Sequence, residues 1–162
     1  MSIVDIINNS KDEDVLADCI QYVLKLGADV NEVTNNWTPL MCAVYHNYND
    51  AADILLMSGA DTEFNKNDKG ETPIIYASRH GYDKIVRTLI SAGADIEAKN
   101  KYGWSSLICA SFGGHVDVVK VLLIYLDDVN VKTDDGDTAI WWAKKCRHDR
   151  IVELLIEAGA KQ

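Results

Sequence analysis

The sequence has few cysteines and prolines, and fewer basic than acidic side chains. Among 162 residues there are two Pro, four Cys without a Cys-x-x-Cys pair, and 16 Lys and Arg against 25 Asp and Glu. The cysteine spacing matches no metal-ligand pattern. A net charge of −9 repels the phosphate groups of nucleic acids and of anionic membrane surfaces. The composition therefore argues against a zinc domain and against nucleic acid or membrane as a partner.

Long apolar runs are also missing. No stretch approaches the roughly 20 apolar residues that span a bilayer, and the start of the chain lacks the basic, then apolar, pattern of a signal peptide. A chain of this length forms about one domain and buries enough surface to fold without disulfides or bound metal ions. We therefore expect a soluble, cytoplasmic, monomeric protein of one domain.

The scarce Pro and Gly residues recur with a period of about 33. Both prolines follow a Thr and lie 34 residues apart, at Pro39 and Pro73. Four glycines precede Ala at spacings of 32, 34 and 66, namely Gly27, Gly59, Gly93 and Gly159. Such a recurrence indicates a tandem array of one supersecondary unit.

Each unit is predicted to contain two helices. A hydroxyl residue stands where it can cap the first helix in four units, at Thr38, Thr72, Ser105 and Thr138. The second helix has apolar residues at helical spacing, as in Ile85, Val86, Leu89 and Ile90, and ends at a Gly suited to the left-handed conformation. The pattern predicts helix, turn, helix and loop.

These motifs resemble the ankyrin repeat family. The segments that carry the resemblance are 70–77 (GETPIIYA), 81–82 (GY) and 85–97 (IVRTLISAGADIE). The resemblance implies an all-α ankyrin-repeat solenoid with β-hairpin-like loops, in one domain covering 1–162. We place a divergent N-terminal capping repeat at 1–31, internal repeats at 32–65, 66–98 and 99–131, and a C-terminal capping repeat at 132–162.

The chain departs from the family pattern at three places. The His that follows Thr-Pro-Leu is replaced by Met41, Ile75, Ile108 and Trp141, so apolar packing is expected to substitute for its hydrogen bonds. The Asp that begins each loop is replaced by Val33, Asn67, Asn100 and Thr133, which predicts looser loop tips. In the fourth unit, 125–128 (YLDD) replaces Gly-Ala-Asp and puts the geometry of that turn in doubt.

Residues that could carry chemistry do not converge. The four His are spread along the stack, and Cys42 and Cys109 share one core-facing position two units apart, too far for a disulfide. Cys146 lies among Lys and Arg, which favour a reactive thiol, but a surface cysteine without a role is the simpler interpretation. We expect no catalytic residue, no metal site and no cofactor.

The family resemblance implies partner binding through the loops before the first helices and the exposed ends of those helices. In this sequence the candidates are Trp37, Tyr45, His46, Arg79, His80, Tyr102, Trp104 and Phe112. Trp, Tyr and Arg most often dominate interface energy. The alternative is that Trp37 and Trp104 merely cover loop edges. Trp142 falls at a core position, whereas Trp141 either closes the last unit or stays partly exposed.

The sequence therefore predicts a non-catalytic protein-interaction module. Two alternatives are a stoichiometric inhibitor of an enzyme or a transcription regulator, and an enzyme with an unrecognised site is a third. Ankyrin-type inhibitors of cyclin-dependent kinases have a shortened first helix in the second unit, whereas 38–47 is full length here. Location in a host cell is expected if the source is a parasite, symbiont or virus.

The negative charge lies entirely in the first two units. Residues 1–31 carry a net −4 and residues 32–65 a net −5, while each later unit is neutral. We therefore expect the partner to turn a basic surface toward the N-terminal end.

Overall fold

The chain forms ten α-helices in the part that the structure, a computed structural model, describes, namely residues 2–10, 12–64 and 69–161. In chain order they are α1 (Ile3–Asn9), α2 (Glu13–Lys25), α3 (Pro39–His46), α4 (Asn49–Met57), α5 (Pro73–His80), α6 (Asp83–Ser91), α7 (Ser106–Gly113), α8 (Val116–Tyr125), α9 (Ala139–Lys145) and α10 (Asp149–Glu157). The predicted all-α repeat solenoid is confirmed.

The helices stack in two layers. The first helices of the pairs, α1, α3, α5, α7 and α9, each contact the next first helix, and the second helices, α2 to α10, do the same. The two helices of each pair also pack against each other, so that one continuous apolar core runs between the layers. None of the helices in the described part is long and apolar enough to cross a bilayer.

Burial differs between the layers because a first helix has neighbours on more sides. In α3 every residue from Pro39 to Val44 is buried, and in α7 the same is true from Ser106 to Ser111. In α6 only Ile85, Val86 and Leu89 are buried, on one face. The 3.6-residue apolar pattern is therefore clear in the second helices, as expected for elements that cover a core from one side.

Side-chain caps begin four of the first helices, namely Ser2 at α1 and three of the four residues that the sequence predicted as caps. The hydroxyls of these residues accept a hydrogen bond from the backbone N–H three residues later: Ser2, Thr38, Ser105 and Thr138. The prediction of a side-chain cap at Thr72 is wrong, because its hydroxyl accepts no hydrogen bond from the start of α5. Thr72 has φ −71°, against −89° to −109° at the other three predicted caps, and its buried hydroxyl reaches no partner in the described part of the chain.

The turn after α8 differs from the turns after α4, α6 and α10. Those three second helices are followed by a glycine with φ between 88° and 92°, a left-handed conformation that costs an L residue energy. Helix α8 runs to Tyr125, one residue longer, and Leu126 follows it with an extended backbone. The departure at 125–128 thus changes this turn, as the sequence indicated.

We call the loop before each first helix a finger. In the described part of the chain the fingers contain only isolated antiparallel bridges, Thr34 with Trp37, Lys99 with Ser105 and Lys132 with Thr138, so they are hairpin-like. Neighbouring fingers bond to each other, since Lys101 N donates to Lys69 O at 3.0 Å and Asp134 N to Tyr102 O at 3.2 Å. Asn67 lies outside the described residues.

The loop tips that lack the usual Asp are held by other side chains. Asn100 Oδ1 accepts from the backbone N–H groups of Tyr102 and Trp104, at 2.9 and 3.0 Å. Thr133 Oγ1 accepts from Asp137 N at 3.1 Å. An amide or hydroxyl oxygen therefore takes the acceptor role of the missing carboxylate at these two tips.

The two threonines that precede prolines give a matched test of helix capping. Thr38→Val removes an N-cap acceptor and should lower the free energy of unfolding by about 1 kcal/mol. Thr72→Val replaces a buried hydroxyl that makes no bond, so it should be neutral or stabilising. Urea denaturation followed by circular dichroism measures both changes. Equal losses in the two variants would contradict the cap assignment.

Candidate partner-binding face

The first helices and the fingers together form one surface, which we call the first-helix face. Aromatic side chains on this face form two contact clusters in the described residues, one in the second and third helix pairs and one in the fourth and fifth. A salt bridge and a cavity lie between them. These four features make up the candidate site.

The N-terminal aromatic cluster spans the second and third helix pairs. Every ring in it contacts at least one other, in three branches that meet at Tyr45. The members are Trp37, Tyr45, His46, Tyr48, Tyr76, His80 and Tyr82. Trp37 meets Tyr45 edge to face, with ring centroids 5.3 Å apart, and Tyr45 lies 5.9 Å from Tyr76 of the next pair. Edge-to-face pairs add about 0.5–1.5 kcal/mol beyond area burial, so these contacts help to fix the side chains before a partner arrives.

Polar groups in this cluster are biased toward their neutral forms. Burial, then the charge of Arg79, holds the pKa of His80 below its usual 6.5. Burial raises the pKa of Tyr76 to about 12. His46 Nε2 lies 3.2 Å from Asn8 Oδ1, so this imidazole also ties the second helix pair to the first. The cluster presents a largely uncharged aromatic surface at neutral pH.

The C-terminal aromatic cluster is built from three tryptophans and one phenylalanine. Trp142 lies at its centre, with ring centroids 4.8 Å from Trp141, 5.0 Å from Trp104 and 5.1 Å from Phe112. The Lys145 ammonium sits 4.2 Å from the Trp141 centroid and 4.6 Å from the Trp142 centroid. This cation–π arrangement places a positive charge over the aromatic surface at this end.

Arg79 occupies the space between the clusters. Its guanidinium forms an ion pair with Glu71, whose side chain is only 3% exposed. Beside the pair is a cavity of about 220 Å³, lined by Lys69, Arg79, Asn100, Tyr102, Trp104, Cys109 and Phe112. The ion pair thus fixes a basic group at the wall of a small cavity.

All eight predicted binding residues lie on the first-helix face. Six of them belong to the clusters: Trp37, Tyr45, His46 and His80 at one end, and Trp104 and Phe112 at the other. The other two, Arg79 and Tyr102, line the cavity. The predicted patch is thus two separate aromatic surfaces with a small cavity between them. Its role in binding stays a prediction.

The sequence assigns one member of the clusters, Trp142, to the core. Tyr76 and Trp142 share a repeat position with Cys42 and Cys109, which are 2% and 1% exposed and confirm the expectation for cysteine. Tyr76 and Trp142 are only half-buried, because rings too large for the core extend toward the first-helix face. The signal was the alternation of small and large residues at this position.

The open question about Trp141 is settled by its exposure of 41%. Its three counterparts, Met41, Ile75 and Ile108, are buried, as expected for apolar substitutes of the family histidine. Trp141 lies in the last pair, against Trp142 and Lys145. The expectation of apolar packing thus fails for this one position.

The remaining histidines and cysteines have structural surroundings. His115 Nε2 lies 2.8 Å from Arg79 O, and His148 Nε2 lies 3.1 Å from Phe112 O, so each imidazole ties its helix pair to the preceding one. Cys146 is half-exposed. Among residues 2–10, 12–64 and 69–161, no three His, Cys, Asp or Glu side chains are grouped as metal ligands would be.

Comparison with known proteins agrees with this geometry. The pattern of the ankyrin repeats matches in three overlapping copies, at residues 10–66, 61–133 and 97–162. The chain belongs to the ankyrin repeat family. Ankyrin repeats are generally protein-interaction modules and generally non-catalytic.

A viral ankyrin protein is among the relatives of this chain. The chain is 29% identical over 147 residues to an ankyrin repeat protein of Fowlpox virus (strain NVSL). The match covers 86% of this chain and 43% of the viral protein, so the chain spans less than half the length of this curated relative.

The Glu71–Arg79 pair can be tested against an exposed ion pair. Glu71→Gln removes the charge that faces a partly buried guanidinium, so the free energy of unfolding should fall by at least about 1 kcal/mol. Asp117→Asn breaks the solvent-exposed pair with Lys120 and should cost less than about 0.5 kcal/mol. Urea denaturation compares the two, and similar losses would contradict a structural role for Glu71.

Proposed function

We propose that this chain is a non-catalytic module that binds a protein partner through the concave first-helix face and the fingers. The observation that carries the proposal is the row of exposed aromatic side chains on this face. Tyr45, Tyr102 and Phe112 are 49%, 57% and 44% exposed although each contacts the aromatic clusters or the cavity. Rigid aromatic rings bury large areas at little entropic cost when a partner covers them.

The exposed side of the second helices, which we call the outer layer, is a weaker candidate for partner binding. It also exposes apolar residues, among them Tyr22, Met57, Ile124 and Tyr125, but none of these side chains makes a ring contact in the part of the chain that the structure describes. Scattered exposed apolar residues are normal at a protein surface. The contrast favours the first-helix face over the second-helix face as the binding surface.

Charge gives the proposed partner an orientation. The whole net charge of −9 lies in residues 1–65, which include the first two helix pairs. Some of these carboxylates, such as Asp29 and Asp61, accept backbone N–H bonds in turns, whereas Asp50 is exposed at the start of α4. We propose that the partner places a basic surface at this end, beside Trp37 and Tyr45.

Helix length and the viral relative bear on the type of module and on where it acts. Helix α3 has eight residues, the same length as α5 and α7, so the shortened helix of the kinase-inhibitor type is not seen. The viral relative is compatible with a role inside a host cell. We propose a monomeric scaffold or binding module in that compartment.

Aromatic truncation tests the proposed surface. After affinity capture and mass spectrometry identify the partner, Trp37→Ala combined with Trp104→Ala should weaken its binding at least about tenfold, because hot-spot aromatics lose buried area. Met57→Ala combined with Ile124→Ala on the outer layer is the matched control and should bind like the native chain. Circular dichroism checks that both variants keep their helices. Unchanged affinity of the tryptophan variant would refute the proposal.

Salt dependence tests the proposed orientation. Opposite charges on the two proteins speed their encounter, and salt screens this attraction over about 10 Å at 0.1 M. Raising sodium chloride from 50 to 300 mM should therefore slow association more than it speeds dissociation. Surface plasmon resonance measures both rates. An association rate that does not fall with salt would count against a basic partner surface at the N-terminal end.

A further inference from the structure

The end of helix α9 carries the densest group of basic residues in the chain. Three of the four residues at 144–147 are basic, namely Lys144, Lys145 and Arg147, and no other four-residue stretch holds three Lys or Arg. All three are exposed, and none of them forms a salt bridge with a residue in the described part of the chain. A chain with a net charge of −9 thus presents a local group of three positive charges, which we call the basic patch.

The acidic residues that are close in sequence leave the basic patch positive. One exposed acid, Asp149, follows the patch in the first turn of α10, and Arg150 is paired with Glu153 at 2.7 Å. Two acids of the last finger, Asp134 and Asp135, precede α9, whose seven residues span about 10 Å. Salt at 0.1 M screens exposed charges over about the same distance. The charge at the far end of α9 is therefore positive.

Arg147 stands in a backbone conformation that suits glycine. Its φ is 61°, and the residues at the same turn after α3, α5 and α7 are Asn47, Gly81 and Gly114, with φ of 58°, 77° and 76°. The turn imposes this conformation, since Arg147 N donates to Lys144 O at 3.1 Å. A left-handed backbone costs energy for a residue with a Cβ atom, and such strain concentrates at functional positions. An arginine here therefore indicates a role at the surface rather than in folding.

An exposed tryptophan adjoins the basic patch. Trp141 is 41% exposed, whereas Met41, Ile75 and Ile108 at the same repeat position are buried. The cause is that α9 contacts one other first helix, α7, while α3, α5 and α7 each contact two. Lys145 Nζ lies 4.2 Å from the centroid of the Trp141 ring. An exposed ammonium has three N–H donors, so Lys145 can contact this ring and still bind an acceptor.

A short acidic segment of a protein fits this surface better than a nucleic acid does. Three cations within four residues match two or three carboxylates of a peptide. A nucleic acid strand continues beyond the patch, where the net charge of −9 in residues 1–65 repels its phosphates. The exposed ring of Trp141 offers an apolar contact for a side chain that stands between the carboxylates.

We propose that the basic patch and Trp141 bind an acidic segment of the protein partner, with an aromatic or aliphatic side chain between its carboxylates. This inference rests on the proposed function and adds the chemistry of one part of the partner. The carboxylates pair with Lys144, Lys145 and Arg147, while the apolar side chain covers the Trp141 ring. Because the N-terminal end of the stack is acidic, the two ends select opposite charges and fix the direction of the partner.

A nuclear magnetic resonance titration of the whole ¹⁵N-labelled chain at low salt tests the basic patch without the partner. The probe is an acetylated and amidated pentapeptide of sequence DEFDE, and the matched control is NQFNQ, which has a similar shape without the charges. We expect saturable shifts of the Trp141 indole N–H and the Arg147 backbone N–H, with an affinity for DEFDE at least about fivefold higher than for NQFNQ. No shift of these signals, or equal affinity for both peptides, overturns the proposal.

A glycine variant separates binding from folding. Glycine suits the backbone at position 147, so Arg147→Gly should keep or raise the urea midpoint of unfolding. Its affinity for DEFDE should fall at least about threefold, because one of three charges is lost. Arg87→Ala removes an exposed arginine from the outer layer and should leave the affinity unchanged. Equal affinities of the two variants, or a lower urea midpoint of Arg147→Gly, would overturn the assignment.

Other occupants of the patch give different results in the same samples. Tighter binding of an oligothymidine strand than of DEFDE, with the same Trp141 shift, would overturn the proposal in favour of nucleic acid. Self-association of the free chain in sedimentation, abolished by Arg147→Gly, would overturn it in favour of a second copy. If DEFDE fails to bind while Trp37→Ala combined with Trp104→Ala still weakens partner binding, this inference falls and the proposed function stands.

Discussion

Stacking of one helix pair on the next is the interaction on which the rest of this molecule depends. A single pair cannot bury its apolar face alone, so each first helix is covered by its neighbours in the row. Loop side chains reinforce the stacking, since Asn31 Oδ1 accepts from Asp61 N and Glu63 Oε1 accepts from Asp95 N in the next unit. Because the stack is regular, any repeat position recurs at a fixed place on the same face.

Because of that regularity, a change of residue at one repeat position alters the first-helix face at a defined place. Where the repeat position inside the first helix is cysteine, the side chain is buried, and where it is tyrosine or tryptophan, the ring reaches the first-helix face. The rings build the aromatic clusters, and the cysteine of α7 leaves the cavity between them. A surface with two aromatic ends and a basic centre thus results from variation within a constant scaffold.

The fold could be predicted because Gly, Pro and capping residues recur in register, and local chemistry dictates their backbone conformations. Individual side-chain positions were harder to predict. Trp142 and Tyr76 align with buried cysteines, and only the packing shows that their rings extend outward. The unpaired Thr72 hydroxyl and the Glu71–Arg79 pair depend on local geometry, which a sequence pattern does not contain.

The central claim is that a partner lies on the first-helix face. Site-specific photo-crosslinking tests it most directly, with p-benzoylphenylalanine placed in turn at Tyr102, on a finger, and at Met57, on the outer layer. Both positions are exposed, so both probes are equally free to react. The account predicts a cross-link to the captured partner from position 102 and none from position 57. A cross-link from position 57 alone would contradict it.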